Sequence, residues 1–375
     1  MLKNNNHSRP IKVCTVIGTR PEAIKMAPVV QALRRQSWAK VMVLATAQHR
    51  EMLDQVFSLF NLRAERDLDV MVQNQTLSDL TARLIVSLDA ALSEMQPDVV
   101  LAQGDTTTVL CCALASFYQG IAFGHVEAGL RTGDLYNPFP EEMNRVVASR
   151  LARFHFAPTE RSRQNLLNEG IAEDKVFVTG NTVIDALLMV ARKDIDIGIE
   201  LDPTRRMILV TAHRRENFGQ PFLEICRAIR RLVEIYPDIE ILYPVHPNPN
   251  VREVAYRELD NQSRIHLCPP LDYGPFVTAM KKAYLILTDS GGVQEEAPAL
   301  GKPVIVLRSD TERPEAVDKD VVRMAGTNQD RIVEEAGRLL DDPEHYKGMA
   351  KGASPYGDGH AAARIVDILK KFHGR

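Results

Sequence analysis

Residues 285–301 read LILTDSGGVQEEAPALG. The apolar run Leu285–Leu287 has the make-up of a short buried strand, and it ends in Thr288, Asp289 and Ser290. Gly291 and Gly292 follow, and Gln294, Glu295 and Glu296 open a helix. A strand, a glycine turn and a helix start together make an anion site, because free backbone N–H groups and the positive end of the helix dipole meet there. Glycines let a phosphate approach with no side chain in the way. Glu296 falls about one turn further on, where its carboxylate can accept hydrogen bonds from ribose hydroxyls. The assembly points to a nucleoside diphosphate gripped by its pyrophosphate and its sugar. The plainer alternative is an ordinary strand–helix turn whose acids favour the helix N-terminus.

The same order recurs along the chain. Strands are expected at Lys12–Ile17, Val41–Ala45, Val99–Gln103, Ala122–Val126, Phe154–Ala157 and Val176–Thr179. A second series is expected at Met207–Thr211, Ile239–Pro244, Ile265–Leu267, Tyr284–Thr288 and Pro303–Leu307. Alternation of short apolar strands with helical patterns implies an α/β protein with parallel sheets covered on both faces. Two series fit two doubly wound domains better than one very wide sheet. The polar stretch Arg192–Arg206 holds Gly198 and Pro203, has no apolar strand and marks the approximate junction. A last helix is expected at Ala361–Phe372, after the turn-rich SPYGDGH at Ser354–His360.

The 375 residues suffice for two domains, and 25% charged with 45% apolar residues is ordinary for a globular protein. A net charge of −3 argues against a general nucleic-acid binder. Cys14, Cys111, Cys112, Cys226 and Cys268 form no C-x-x-C pair and no metal-ligand spacing, so no metal is expected. No apolar run approaches the length of a membrane span. The polar start MLKNNNHSRP lacks the apolar core of a signal peptide, which suggests a cytoplasmic location.

In open parallel sheets ligands bind beyond the carboxyl ends of the strands, so the polar residues there carry the interest. After the first strand comes Gly18–Lys25, GTRPEAIK, where Arg20 and Lys25 set positive charge beside a helix start. It has neither the G-x-G-x-x-G spacing of a dinucleotide fingerprint nor a P-loop, so no nicotinamide is expected. Asp105, in QGDTTT, fits an N-cap as well as a functional carboxylate. Glu127 directly ends an apolar strand, so it is either paired, with Arg131 as the nearby partner, or used in a cleft. In PFPEEMNR, Pro140, Glu141 and Glu142 suit a helix start, and Asn144 and Arg145 extend the polar cluster. His213, followed by two arginines, suits a phosphate group and general acid or charge-stabilising chemistry. His246 fits a structural or substrate-bonding role, and Arg313 with Glu315 fits either a surface ion pair or a place near the Gly291–Gly292 turn. Positive groups and glycine turns occur in both halves, while carboxylates concentrate in the first. That distribution fits a nucleotide sugar held between two domains with its sugar facing the carboxylates.

The motifs GTRPEAIKMAP, TAQHREMLDQV, QGDTTT, HVEAGLRTGDLY, PFPEEMNR, GNTVIDAL, TAHRRENFG, YPVHPNPNV, LTDSGGVQEEAPALGKPV and TERPEA, in this order, closely resemble the non-hydrolysing UDP-N-acetylglucosamine 2-epimerases of bacteria. The likeness runs from about Lys12 to about Leu369. It implies the GT-B architecture of two Rossmann-like domains: residues 1–180 joined by the C-terminal helix 356–375, and residues 181–355, which bind UDP. It also implies a homodimer without metal or nicotinamide, and interconversion of UDP-N-acetylglucosamine with UDP-N-acetylmannosamine through elimination of UDP to 2-acetamidoglucal. By this resemblance Asp105, Glu127 and Glu141 are the acid–base candidates. His213 and Arg20 stabilise the diphosphate with Ser290, Gly291 and Gly292, Glu296 holds the ribose and Phe276 lies near the uracil. Lys25, Arg145, His246 and Arg313 join the substrate-binding set. Gln48, Glu141 and His246 match positions linked in some members with a second, activating UDP-N-acetylglucosamine. Glu51 departs from the Gln of some regulated members, which leaves regulation open. A GT-B glycosyltransferase, a hydrolysing epimerase and a non-catalytic UDP-sugar sensor are the competing readings.

Overall fold

The computed structural model describes residues 9–46, 50–72, 74–193, 195–311, 313–352 and 354–374, with side chains for all but residues 50–52 and 314. Among the described residues the strands are β1 Ile11–Ile17, β2 Ala39–Ala45, β3 Arg66–Asp67, β4 Val99–Gln103, β5 Ala122–Val126, β6 Phe154–Ala157 and β7 Val176–Val178. They are followed by β8 Arg206–Thr211, β9 Ile239–Pro244, β10 Ile265–Cys268, β11 Leu285–Thr288, β12 Val304–Val306 and β13 Val322–Met324. The first group forms a parallel sheet in the order β3-β2-β1-β4-β5-β6-β7, and the second a parallel sheet in the order β10-β9-β8-β11-β12-β13. The expected strands are present within a residue or two at their ends. β3 and β13 were not anticipated, because each is very short, carries charge and has one paired side only.

Strand order reverses between β1 and β4 in the first sheet and between β8 and β11 in the second. The loops leaving such a pair go to opposite faces and open a crevice at the carboxyl ends. The strands flanking these points are mostly apolar because helices cover both faces; all five residues of β4 are buried. In the first sheet's core Cys14, Val16, Val100 and Ala102 pack on the helix Leu77–Met95 through Leu84 and Leu88. In the second, Ile208, Val210, Ile241 and Leu287 pack on the helix Gln220–Ile235 through Ile225, Ile229 and Leu232. The five cysteines are buried and free, and burial pushes the Cys14 thiol up to about 12.

Two compact units result. One contains the chain up to Ala186 together with Tyr356 onward, and the other is Leu187–Pro355. The division falls inside the helix Thr182–Ala191, ahead of the polar stretch that precedes β8. Within the first unit the returning C-terminal segment is fastened by side chains distant in sequence. The helix Ala361–Phe372 has no cap from His360; instead Asp185 accepts from Ala361 N at 3.1 Å and Ala362 N at 2.9 Å. Arg364 donates to the Thr179 carbonyl at 3.0 Å, and Asn181 N donates to the Tyr356 carbonyl at 2.6 Å. No helix among the described residues is long and apolar enough to cross a membrane. Removing the remote cap with Asp185→Ala should lower stability by about 1–2 kcal/mol, the usual worth of an N-cap. An unshifted urea midpoint would contradict this role for Asp185.

Candidate functional site

In the first unit the candidate residues gather at the carboxyl ends of β1, β4 and β5. Gly18 follows β1, and a Cβ there would lie 2.7 Å from Thr108 Oγ1 and 2.8 Å from Thr46 Oγ1, so only glycine fits without a shift. Glu22 turns back beneath this loop, accepting from Gly18 N at 2.5 Å and Thr19 N at 2.8 Å. It also accepts from Thr106 Oγ1, in the loop after β4, at 2.6 Å. Arg20 opens the helix at this turn and is half-buried.

Gly104 leaves β4 at φ +88°, a conformation side chains disfavour, and delivers Asp105 to the strand end. Asp105 is not the N-cap of the next helix; Thr106 is, its hydroxyl accepting from Val109 N. The Asp105 carboxylate is therefore available, and Arg145 Nη1 donates to it at 3.1 Å. Burial pushes this carboxyl above its ordinary range; Arg145 and Lys25 oppose the shift, while Glu127 and Glu141 add to it.

Glu127, at the end of β5, takes φ +64°, a region rare for any residue but glycine and strained by about 1–3 kcal/mol. Its partner is Lys25 and not Arg131: Lys25 Nζ donates to both carboxylate oxygens, at 2.6 and 2.9 Å. Gln103 Nε2 and Asn181 Nδ2 (3.2 Å) donate to the same carboxylate. Arg131 pairs instead with Glu169 at 2.6 Å, because the glycine turn at Gly129 carries the chain away from the strand end. Glu141 is the first residue of the helix Glu141–Leu151 and half-buried, whereas Glu142 is buried.

Two residues of this half went unrecognised in the sequence. Glu142 accepts from Thr132 N and Gly133 N, both at 3.1 Å, and from Arg145 Nε at 2.6 Å, so it sets the guanidinium that faces Asp105. His125 is buried in β5, and its Nε2 donates to the Gly104 carbonyl at 2.7 Å, steadying the Asp105 loop. Burial lowers this imidazole to about 4, so it is neutral at pH 7. No glycine or charge spacing advertises either contact.

In the second unit the residues surround the β8–β11 switch point. Ser290 occupies the N-cap of the helix Gly291–Ala299, but its hydroxyl does not cap it, so the first amides stay open to an anion. The Arg214 guanidinium lies beside that turn, 3.7 Å from where a Cβ on Gly291 would sit. Asp289 is fully buried and accepts from His213 N and Arg214 N, each at 2.8 Å, and from Asn217 Nδ2 at 3.0 Å. His213 stacks on His246, with ring centroids 5.3 Å apart. Burial lowers the His213 pKa, against the attraction of Asp289 and with His246 and Arg214 reinforcing it. Glu296 reaches back toward Gly292 and accepts from the Tyr273 hydroxyl at 3.0 Å. Phe276 is half-buried on the helix that Tyr273 begins. Arg313 Nε donates to the buried Glu295. Gln48 and the side chain of Glu51 lie outside the described residues.

The Glu142 contacts set a testable pH dependence. Burial acts to raise its carboxyl, but the Arg145 hydrogen bond and those from Gly133 and Thr132 outweigh it and hold the folded-state pKa below the ordinary value. A depressed folded pKa means the stabilisation is present above the unfolded pKa, about 4.3, and is lost as pH falls through the folded one. Glu142→Gln should cost about 1–3 kcal/mol at pH 7, the worth of charged hydrogen bonds. The gap in urea stability between wild type and variant should close below about pH 4. A gap independent of pH would contradict it.

Residues 31–370 match the family model described as UDP-N-acetylglucosamine 2-epimerase. The chain is 54% identical over 370 residues to the UDP-N-acetylglucosamine 2-epimerase of Escherichia coli (strain K12), spanning 96% of this chain and 98% of that one. It is 49% identical over 368 residues to the enzyme of the same name from Bacillus subtilis (strain 168), spanning 98% and 97%. Among solved structures it matches the UDP-GlcNAc 2-epimerase from Neisseria meningitidis bound to UDP-GlcNAc, with a TM-score of 0.87 and 48% identity over 96% of this chain and 100% of that one. The two Rossmann-like domains are those of the GT-B class. On its sequence and its fold alike, the chain belongs to the UDP-N-acetylglucosamine 2-epimerase family.

Proposed function

We propose that this chain interconverts UDP-N-acetylglucosamine and UDP-N-acetylmannosamine by eliminating UDP and adding it back. The observation that carries this reading is a division of chemistry between the units. The first holds three carboxylates, Asp105 and Glu127 at strand ends and Glu141 at a helix start; the second holds His213, Arg214 and an uncapped helix N-terminus. Sugar chemistry falls to the first set and nucleotide binding to the second.

The proton on carbon 2 is not acidic, so its removal must be coupled to loss of a leaving group. A carboxylate takes that proton, the carbon 1–oxygen bond breaks with its electron pair going to the diphosphate, and the double bond of 2-acetamidoglucal forms. A diphosphate oxygen then adds back to carbon 1 while carbon 2 receives a proton on the opposite face. As written, the sequence uses no metal and no nicotinamide. Burial raises the Asp105 carboxyl above its ordinary value, which makes its carboxylate the better proton acceptor. Glu127, fixed by Lys25, Gln103 and Asn181, presents a carboxylate of set orientation. His213, Arg20 and the amides at Ser290–Gly292 stabilise the departing diphosphate, and Glu296 holds the ribose. Lys25 and Arg145 orient the two carboxylates, while His246, Phe276 and Arg313 line the nucleotide side.

We also infer a cytoplasmic homodimer. Val86 on the helix Leu77–Met95, and Phe117 and Tyr118 on the helix Thr107–Tyr118 that packs against it, are exposed apolar residues that a second copy would bury. Sedimentation of the full chain at the mass of a monomer would oppose that.

Asp105→Asn, Glu127→Gln and Glu141→Gln should each lower turnover by roughly 10²–10⁴-fold, the range of acid–base groups, with UDP affinity largely kept. Glu296→Ala should weaken UDP binding instead. Carboxamide variants that lose UDP affinity but keep turnover at saturation would reverse these roles.

The mechanism itself is tested in deuterated water. UDP-N-acetylglucosamine alone should give UDP-N-acetylmannosamine labelled at carbon 2, and long incubation should label the remaining substrate. Traces of UDP and 2-acetamidoglucal should leak. Epimerised product without deuterium at carbon 2 would defeat elimination while leaving the epimerase reading standing. UDP released with the sugar passed to an added acceptor would indicate a glycosyltransferase.

A further inference from the structure

We propose that Asp289 is a positioning residue for His213: its buried carboxylate holds the imidazole in the Nδ1–H form, so that Nε2 is the nitrogen that takes up and gives back a proton at the leaving diphosphate. The role of that proton rests on the function proposed above; the pairing itself does not.

The argument begins with an uneven use of one carboxylate. Asp289 leaves β11 fully buried. Its Oδ2 accepts the His213 and Arg214 backbone amides, each at 2.8 Å, and the Asn217 amide at 3.0 Å. Its Oδ1 is equally buried yet accepts no hydrogen bond among the described residues. That oxygen lies 3.6 Å from His213 Nδ1. The two backbone amides fix the plane of the carboxylate, so the direction of Oδ1 is set by the β8 and β11 loops and not by the histidine. A buried carboxylate oxygen without a donor is costly, and the imidazole is the group facing it. An ionised carboxylate only accepts, so the imidazole nitrogen that meets it must carry the hydrogen.

The other neighbours of His213 make the arrangement one-sided. His246 stacks on the ring at an interplanar angle of 17°, which restrains its tilt. The His246 Nδ1 accepts from Asn248 N at 3.1 Å. The charged and titratable groups facing His213 are Asp289, His246 and Arg214, the first favouring a proton on the ring and the other two opposing it. With Nδ1–H committed to Asp289, the ring gains its second proton only at Nε2. A bound diphosphate adds negative charge at the Gly291 turn, beside Arg214, and favours the protonated ring. When the carbon 1–oxygen bond breaks, the electron pair goes to the diphosphate oxygen and the Nε2 proton moves toward it. On re-addition the proton returns to Nε2. The Nδ1 hydrogen stays against Asp289 throughout. This is the general way in which a carboxylate fixes the tautomer of a histidine that works through its other nitrogen.

The pairing is read directly from the full-length protein labelled with ¹⁵N-histidine, by long-range proton–nitrogen correlation above pH 8 without ligand. His213 signals are assigned as those missing in His213→Asn. The wild type should show a hydrogen-bearing Nδ1 and a bare Nε2. In Asp289→Asn the amide oxygen still serves the loop N–H groups while its NH₂ faces Nδ1, so the pattern should reverse. Turnover of that variant should fall about 10²-fold or more, the lower bound for a lost acid, with KM changed far less. Asn217→Ala, which removes an Oδ2 donor and the hydrogen bond to the Leu307 carbonyl but leaves Oδ1 untouched, should lower the melting temperature but keep the wild-type tautomer. A bare Nδ1 in the wild type would overturn the proposal whether or not Asp289→Asn folds, and so would a tautomer unchanged in that variant. A wild type with the expected tautomer but no epimerisation would instead remove the functional reading and leave the pairing in place.

Discussion

A buried carboxylate crosslinks the two diverging loops at the switch point of each sheet. In the first unit Glu22, 3% exposed, binds the loop after β1 through Gly18 N and Thr19 N and the loop after β4 through Thr106 Oγ1. In the second unit Asp289 leaves β11 and binds the loop after β8 through His213 N and Arg214 N. The need is physical. Loops leaving such a point go to opposite faces of the sheet, and the crevice between them has no backbone ladder to hold its width. A carboxylate with three or four acceptor sites can tie both sides at once. Its desolvation is expensive, as the upward shift of Glu22 shows: burial drives it, and the Thr106, Gly18 and Thr19 hydrogen bonds offset it only in part. Each loop is thereby held against the other at one atom-scale contact.

The candidate site residues hang from these contacts. Thr106, tied to Glu22, is also the N-cap of the helix that follows Asp105, so the position of Asp105 depends on Glu22 at one remove. From the other side, Asn144 donates to the Asp105 carbonyl at 2.9 Å and Arg145 to its carboxylate. Glu142 in turn fixes Arg145. Glu127 keeps an unfavourable backbone because Lys25, Gln103 and Asn181 converge on its carboxylate. Asn181 also donates its backbone N–H to Tyr356, so the returning C-terminal segment and the Glu127 carboxylate share one residue.

Much of this was legible in the chain, for identifiable reasons. Inner strands are buried on both faces and read as mostly apolar runs, so β4, β5, β6 and β9 are found to the residue. β3 and β13 are two and three residues long and give no such run. Gly18, Gly291 and the polar residues after each strand announce themselves by position. The partners do not. Arg131 is nearer to Glu127 in sequence than Lys25 is, yet the turn at Gly129 carries it off to Glu169. Asp105 and Thr106 are both good caps, and only the geometry separates them. Glu142 reads as a helix-start acid because nothing in the sequence shows that Thr132 and Gly133 fold over it. Asp289 reads as part of a turn until the β8 loop is laid beside it.

The charges explain why the two sets of polar groups are stable before any substrate arrives. In the first unit three of the acidic residues are paired with cations: Glu127 has Lys25, and Asp105 shares Arg145 with Glu142. Such pairing limits the mutual repulsion of acids packed at neighbouring strand ends, and leaves a surface a neutral sugar can approach. In the second unit Asp289, buried beside the helix start, spends one of its two oxygens on the His213 and Arg214 amides and on Asn217. What it leaves facing outward is positive or can become so: the Arg214 guanidinium, the open amides after Ser290 and the His213 ring. Charge complementarity to a sugar diphosphate is thus built separately into each sheet, by deciding at its switch point which polar groups are consumed by the fold and which are left to bind.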